Sequence, residues 1–306
     1  MTLPPSPLRN HVALVAGATR GAGRAIAVEL GALGATVYCT GRTTRTQPSP
    51  MNRPEAIEDS ADLVGHAGGE GIAVRCDHSR PEEVFDLARQ VRDRHGRIDI
   101  LVNDVWGGDP FVDFAKPLWK HPLDDTLHVI RNGVETHVIT NHCLLPLVLD
   151  SESGLVVEVG DGKGDVPFRG NIAYDIVKST VVRLAESLNA ELAPHGAMAV
   201  SVTPGFLRSE AMLDLAGVSE ANWRDAQDFG GGFFAHSETP HLLGRGIAAL
   251  AADPARARFA GRCLGSWDLM HEYKVVDHDG ASPDWGRVDA AARQSIVEDG
   301  FPGAEG

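Results

Sequence analysis

Short apolar runs alternate with amphipathic stretches along this chain, from near its start to about residue 265. Val12–Ala16 is the first run, and Ala22, Ile26, Leu30 and Leu33 follow it on one helical face. Further runs lie at 35–40, 72–76, 98–103, Leu155–Val159 and 199–203. Each is nearly continuous in apolar residues, which predicts strands covered on both faces. Helical spacing separates them. Pro54 can open a helix at its first turn, Val84, Leu87 and Val91 mark the next, and another runs from about 124 to 144. Val177, Val181, Leu184 and Leu188 stripe a helix that Pro194 and Gly196 end, 242–251 forms a late helix, and 261–264 is a last short strand. Strands alternating with helices imply right-handed crossovers and a doubly wound parallel sheet, a three-layer α/β/α arrangement. With no repeat and no Gly/Ser linker, the expectation is a single domain over 1–306. It carries loop insertions at about 104–121 and 205–237 and a short C-terminal extension from about 265.

The two insertions are rich in aromatics: Trp106, Phe111, Phe114 and Trp119 in the first, Trp223, Phe229, Phe233 and Phe234 with Met212 in the second. They read either as binding loops or as side chains that pack the insertions onto the body. The stretch from Asp277 onward is polar, and the final FPGAEG is expected to fray.

Composition narrows the partners. The net charge of −14 over 306 residues argues against a sequence-independent grip on nucleic-acid phosphates. The N-terminus lacks an apolar core followed by a small-residue cleavage site, and no run reaches the roughly 18 apolar residues of a membrane span, so a soluble cytoplasmic chain is expected. Cys39, Cys76, Cys143 and Cys263 are widely spaced, which reads as packing in a reducing compartment. The 13 histidines are scattered, and His137 and His142, five apart, lack metal-ligand spacing, so no metal is expected.

Two features carry chemistry. The first strand runs into Gly17, Thr19, Arg20, Gly21, Ala22 and Gly23, a glycine-rich turn that opens a helix. There, backbone N–H groups can approach a pyrophosphate. Further on, Tyr174 and Lys178 lie four apart and share a helical face. A free tyrosine, with a pKa of about 10, becomes useful in acid/base work when a nearby ammonium favours its phenolate.

The spacing G-x-x-x-G-x-G, together with Tyr174-x-x-x-Lys178, resembles the short-chain dehydrogenase/reductase superfamily over about residues 10–265. That resemblance implies a Rossmann-type fold and places further landmarks. Asp77 matches the residue that contacts the adenine ring. Asn103, with Asp104, Val105 and Trp106, stands where the family has Asn-Asn-Ala-Gly. Pro204, Gly205 and Ser209 match the segment that holds the nicotinamide carboxamide. The resemblance also implies that Tyr174 protonates a carbonyl oxygen as hydride arrives, that Lys178 holds the ribose hydroxyls, and that copies pair into a homodimer or homotetramer through helices at about 124–144 and 172–192. The second strand ends Cys39-Thr40-Gly41-Arg42 with no acid, and Arg45 and Arg20 add cations. Forked guanidinium donors suit a 2′-phosphate, so NADP(H) is expected over NAD(H).

One landmark departs. The family places a serine about 13 residues before the tyrosine, and that position is Asp161, with no Ser or Thr anywhere from 155 to 168. The family's asparagine helper is matched only approximately by Asn132, a gapless count favouring Gly133. Asp161 has three readings: a protonated donor in place of the serine, a turn residue between Gly160 and Gly162, or a group with a different chemical role. Ionised, it would raise the Tyr174 pKa and repel an oxyanion. The resulting expectation is an NADP(H)-dependent oxidoreductase acting on carbonyl or alcohol groups of a small molecule. The alternatives are a weak or inactive NADP(H)-binding homologue, and a lyase or isomerase using Asp161 as base.

Overall fold

The computed structural model describes residues 6–49, 51–164 and 168–291. Seven parallel strands form one sheet in the order β3-β2-β1-β4-β5-β6-β7: β1 Val12–Ala16, β2 Thr36–Gly41, β3 Glu70–Arg75, β4 Ile100–Asn103, β5 Leu155–Val159, β6 Met198–Thr203 and β7 Cys263–Gly265. Most strands match the apolar runs within a residue or two. β3 begins two residues earlier than its run, and β7 begins two residues later and ends one residue later than its run.

Within the strands, alternate residues feed two separate cores. Ala13, Val15, Ile100, Val102, Leu155 and Val157 face one, where Ile26 and Leu30 of α1 (Gly21–Ala32) meet Leu243, Ile247 and Leu250 of α8 (Pro240–Ala252). Leu14, Leu101 and Val156 face the other, filled by Val84, Leu87 and Val91 of α3 (Pro81–His95), Leu144 and Leu147 of α5 (Thr136–Leu149), and Leu188 and Leu192 of α6 (Ile172–Leu192). Double coverage is why the strands read as continuous apolar runs. The order reverses between β1 and β4, the crevice where ligands bind in such sheets.

Three helix expectations need correction. α2 spans Ile57–Ala67, so Pro54 lies before it rather than in its first turn; the Asp59 carboxylate instead accepts from the Ala56 N–H at 3.1 Å. The helix expected to stop near 144 continues to Leu149 through Pro146. It is also interrupted, since α4 (Leu123–Ile130) joins α5 through a π-helical turn at Arg131–Glu135. A π-turn inserts a residue into the helical ladder and often sits at functional sites.

The 205–237 insertion is not a plain loop. It contains α7 (Glu210–Ala216), and its aromatics pack mainly on one another: Phe234 is fully buried against Phe206, Trp223 and Phe229. The segment after Asp277 is docked, contrary to its polar character. Asp277 is 2% exposed and accepts from Thr239 N at 2.8 Å, while Trp285 packs on Phe206 and Phe233. After α9 (Ser266–Tyr273) the chain thus returns to cover the insertion. The FPGAEG end lies outside the described residues.

Candidate active site

β1 delivers the glycine turn. Gly17 has φ +90°, and a Cβ there would sit 2.4 Å from the Asp104 carbonyl oxygen; at Gly23 it would sit 2.3 Å from the Gly17 oxygen. Backbone therefore packs on backbone, which only glycine allows. Gly17 N and Ala18 N both donate to Thr40 O, tying the turn to the end of β2. Thr19 lies over Gly41, and Ala22 packs against the core behind the turn. The N–H of Gly21, opening α1, donates to Glu210 of α7 at 2.9 Å. Ser209 caps α7 by accepting from Met212 N.

At the end of β2 stands Gly41, and Arg42 reaches toward Gly107, with an Nη2 3.5 Å from where a Cβ on that glycine would be. Arg20 donates to the Met51 sulfur at 3.0 Å. Arg45, the other cation expected here, is instead held on the surface by Asp59 and Asp62 of α2 at 2.7 and 2.6 Å. Asp77 accepts from Ser79 N and Oγ at 3.0 and 2.7 Å. Burial alone would raise its carboxyl, but these bonds and the Arg42 charge hold it below the usual carboxylate range.

Tyr174 and Lys178 project from the first turns of α6, which Asn171 caps by accepting from Tyr174 N at 3.0 Å. The Asn171 amide also donates to Asp113 O at 3.3 Å, fastening the first insertion to this helix. The Tyr174 hydroxyl donates to an Asp161 carboxylate oxygen. That same oxygen lies 3.6 Å from an Arg169 guanidinium nitrogen, and Arg169 donates to the Asp161 carbonyl at 2.8 Å. Burial first, and then the charge and hydrogen bond of Asp161, raise Tyr174 well above its ordinary value, with Arg169 pulling the other way. Burial lowers the Lys178 ammonium, opposed by Asp161, Asp104 and Asp109. Asp161 is therefore more than a turn residue.

Trp106 and Phe114 stand edge-on to the Tyr174 ring at 5.7 and 5.3 Å, and the Lys178 ammonium lies 4.4 Å from the Trp106 ring centroid. Trp119, 83% exposed, takes no part. Asn132, matched approximately to the family's asparagine helper, is 8% exposed. It lies in the π-turn, within 2.7 Å of His128 Nε2 and facing Gly107. Gly133 is the residue that meets α6, where a Cβ would be 2.3 Å from Val177 Cγ1.

Several further groups stand at this site without a role assigned from the sequence. Asp104 accepts from the Gly23 N–H, and burial pushes it up to about 7 against the pull of Lys178 and His137. Glu158, fully buried on β5, binds His137 Nδ1 at 2.6 Å and Asn141 Nδ2 at 2.6 Å. Asn103 donates to Glu158 at 3.3 Å, and His137 Nε2 reaches Val105 O at 3.1 Å, so this polar cluster braces the chain that carries Trp106. A charged residue inside an apolar run, as at Glu158, was the available clue. Behind Pro204 and Gly205, Gly205 N donates to Ser266 Oγ at 3.3 Å, which in turn donates to buried Glu238 at 2.7 Å. Burial raises the Glu238 carboxyl to about 8. Among the described residues, Glu29, His241 and His278 group their ligand-type atoms within 4.8 Å, but Arg245 also pairs with Glu29 at 3.4 Å. We read that cluster as fastening the C-terminal extension to α1 and α8.

A parallel sheet with a glycine turn at its switch point, and a tyrosine–lysine pair on the helix after β5, defines the class as an α/β dinucleotide-fold oxidoreductase. Comparison agrees at the level of family. The chain belongs to the short-chain dehydrogenase/reductase family: residues 11–216 match the family described as short chain dehydrogenase. It is 30% identical to human "Dehydrogenase/reductase SDR family member 1" over 278 residues, 90% of this chain and 85% of that one. It is 28% identical to a 7alpha-hydroxysteroid dehydrogenase of Clostridium sardiniense over 207 residues, 68% of this chain and 74% of the other. Among solved structures, a short chain dehydrogenase of Mycobacterium thermoresistibile superposes with a TM-score of 0.74 at 20% identity, covering 91% of this chain and 92% of that one. At that identity the likeness concerns the fold.

Proposed function

We propose that this protein is an NADP(H)-dependent oxidoreductase that interconverts a carbonyl and an alcohol on a small molecule, acting as a single domain. The observation that carries the reading is the convergence of Tyr174 and Lys178 with Trp106 beyond the ends of β4 and β5, beside the glycine turn of β1. When bound, the nicotinamide supplies hydride donation or acceptance. The residues fit such a cofactor: Gly17, Gly21, Ala22 and Gly23 make the tight strand-to-helix turn at which a diphosphate would sit, Asp77 suits the adenine, and Asn103 supports the β4 end. Pro204, Gly205 and Ser209 border the nicotinamide end, and Lys178 would hold ribose hydroxyls. Gly41 in place of an acid, with Arg42 and Arg20 nearby, supports the phosphorylated cofactor; Arg45 does not.

Tyr174 is assigned the proton at the reacting oxygen, which it can hold at neutral pH because its environment disfavours the phenolate. No helix of the described residues is long and apolar enough to cross a membrane, and we place the protein in the cytoplasm. Val138, Ile172 and Ile176 are exposed on α5 and α6, which supports pairing of copies there as a homodimer or homotetramer.

One observation favours a second reading. A carboxylate stands where a hydroxyl donor is usual, and it engages Tyr174 directly, which suits a cofactor-binding homologue without turnover. A lyase or isomerase using Asp161 would show turnover with no net cofactor oxidation. The test is calorimetric titration with NADPH and NADH, then turnover on a panel of alcohols and carbonyls, repeated with Tyr174→Phe. NADPH binding with turnover that Tyr174→Phe abolishes supports the oxidoreductase. Equal or tighter NADH binding refutes the NADP(H) assignment, and binding without any turnover favours the homologue.

A further inference from the structure

The usual serine at the Asp161 position can both donate and accept a hydrogen bond, whereas a carboxylate only accepts. The structure uses Asp161 in that sense: it takes the Tyr174 hydroxyl proton as acceptor and faces Arg169 at 3.6 Å. With its hydrogen committed to Asp161, the Tyr174 oxygen is left with lone pairs to offer a substrate, beside the Trp106 and Phe114 rings. A ketone oxygen, which also only accepts, meets no donor from either group in this arrangement. An alcohol does better, since its O–H can donate to the Tyr174 oxygen.

We propose that Tyr174 and Asp161 form a two-member proton relay in which Asp161 is the terminal acceptor, and that the site is built to hold its substrate as the alcohol. This rests on the oxidoreductase reading above and names the substrate form and the proton's destination. As the carbinol carbon gives up its hydride, with both electrons, to the oxidised nicotinamide, the substrate O–H bond breaks and its proton bonds to the Tyr174 oxygen. The original Tyr174 O–H bond breaks in turn, and that proton bonds to Asp161. The products are the carbonyl compound, the reduced nicotinamide, neutral Tyr174 and a protonated Asp161 that releases its proton to solvent. The tyrosine starts and ends neutral, so the relay needs no phenolate. The charged groups facing the pair are Arg169, Lys178, Asp109 and Asp104.

The overall equilibrium constant is unaffected by the residue at 161. What Asp161 governs is the form of substrate held and the pH at which each direction runs. The bond that separates the two forms, the alcohol O–H to the neutral Tyr174 oxygen, is worth roughly two- to tenfold in affinity.

Two measurements test the relay, and the first needs neither substrate nor cofactor. Tyrosinate absorbance is followed against pH in wild type, Asp161→Ser, Asp161→Asn and Tyr174→Phe. Subtracting the Tyr174→Phe curve removes the other two tyrosines. The relay requires the Tyr174 transition to move down by about a unit or more in both Asp161 variants; a shift within a few tenths overturns it. In the second, calorimetry compares cyclohexanol with cyclohexanone on the protein saturated with the oxidised cofactor. Wild type should prefer the alcohol by about two- to tenfold, and Asp161→Ser, which restores a donor, should reduce that preference. Equal affinity, or none for either probe, overturns the alcohol assignment. Failure of NADP(H) to bind would instead sink the proposed function while leaving the tyrosinate result standing.

Discussion

Replacing Gly133 by alanine would put a Cβ 2.3 Å from Val177 Cγ1, 3.0 Å from its Cγ2 and 3.2 Å from its Cβ. Val177 is 1% exposed and lies on α6 between Tyr174 and Lys178, so the rotamer change or helix displacement that relieves the clash is felt at both. Overpacking of this kind costs about 1–3 kcal/mol. Gly133 lies within helical structure, and replacing glycine there recovers up to about 1 kcal/mol of helix propensity. The net expectation for Gly133→Ala is a destabilisation of about 1–2 kcal/mol, with a fall in turnover larger than that stability loss implies, because the displaced helix carries the proposed acid/base pair. Val177→Ala alone deletes two buried methyl groups and should cost about 1.5–3 kcal/mol. In the double variant the new methyl occupies the space the valine vacates. The two penalties should then fail to add, by about 1–2 kcal/mol in the stabilising direction. Urea denaturation of the four proteins, with unchanged m-values, measures this directly. Additivity within about 0.5 kcal/mol would refute the claim that this glycine sets the approach of the π-turn to α6.

The remaining expectations concern the glycine turn and its charges. Gly17→Ala combines a φ of +90° with a Cβ 2.4 Å from a carbonyl oxygen that cannot swing aside, so a loss of about 2–4 kcal/mol by urea denaturation is expected, along with loss of cofactor binding. Glu210 places a carboxylate on the Gly21 N–H, in the turn where an anionic diphosphate would bind; Glu210→Gln should tighten NADPH binding up to about tenfold by calorimetry, with a steeper gain at low salt. Asp104 has a folded-state pKa of about 7, above the unfolded value, so the folded state holds a proton that the unfolded chain has released. The sign follows: its contribution is fully favourable below the unfolded pKa of about 3.9 and is lost as pH rises toward about 7, amounting to a few kcal/mol at most. Asp104→Asn keeps an acceptor for Gly23 N–H and should flatten that part of the stability–pH curve, measured as Tm between pH 4 and 8; an unchanged slope would count against the assignment.

Periodicity and turn chemistry alone determined the order of strands and helices and the parallel, double-covered sheet. Each depends on local spacing and on which face of an element is apolar, information carried within a few residues. The same local logic marked the glycine turn, Tyr174 with Lys178, the missing acid after β2 and the carboxylate at 161. Helix ends were less legible, because a proline can be tolerated inside a packed helix, as at Pro146, and a π-turn leaves no periodic trace. What only the tertiary structure decided was which groups meet. Arg45 was diverted to Asp59 and Asp62 because α2 folds back against the β2 loop. Gly133 faces Val177 of α6, while Asn132, one residue earlier in the π-turn, faces Gly107 and His128. The polar stretch at 277–285 is docked because Thr239, some 40 residues earlier, supplies donors for Asp277. The role of Asp161 likewise emerges only from its neighbours: in sequence it could be a turn, a donor or a base. Placed against the Tyr174 hydroxyl and Arg169 it is an acceptor, since long-range packing, not local preference, sets the charges that face a buried side chain.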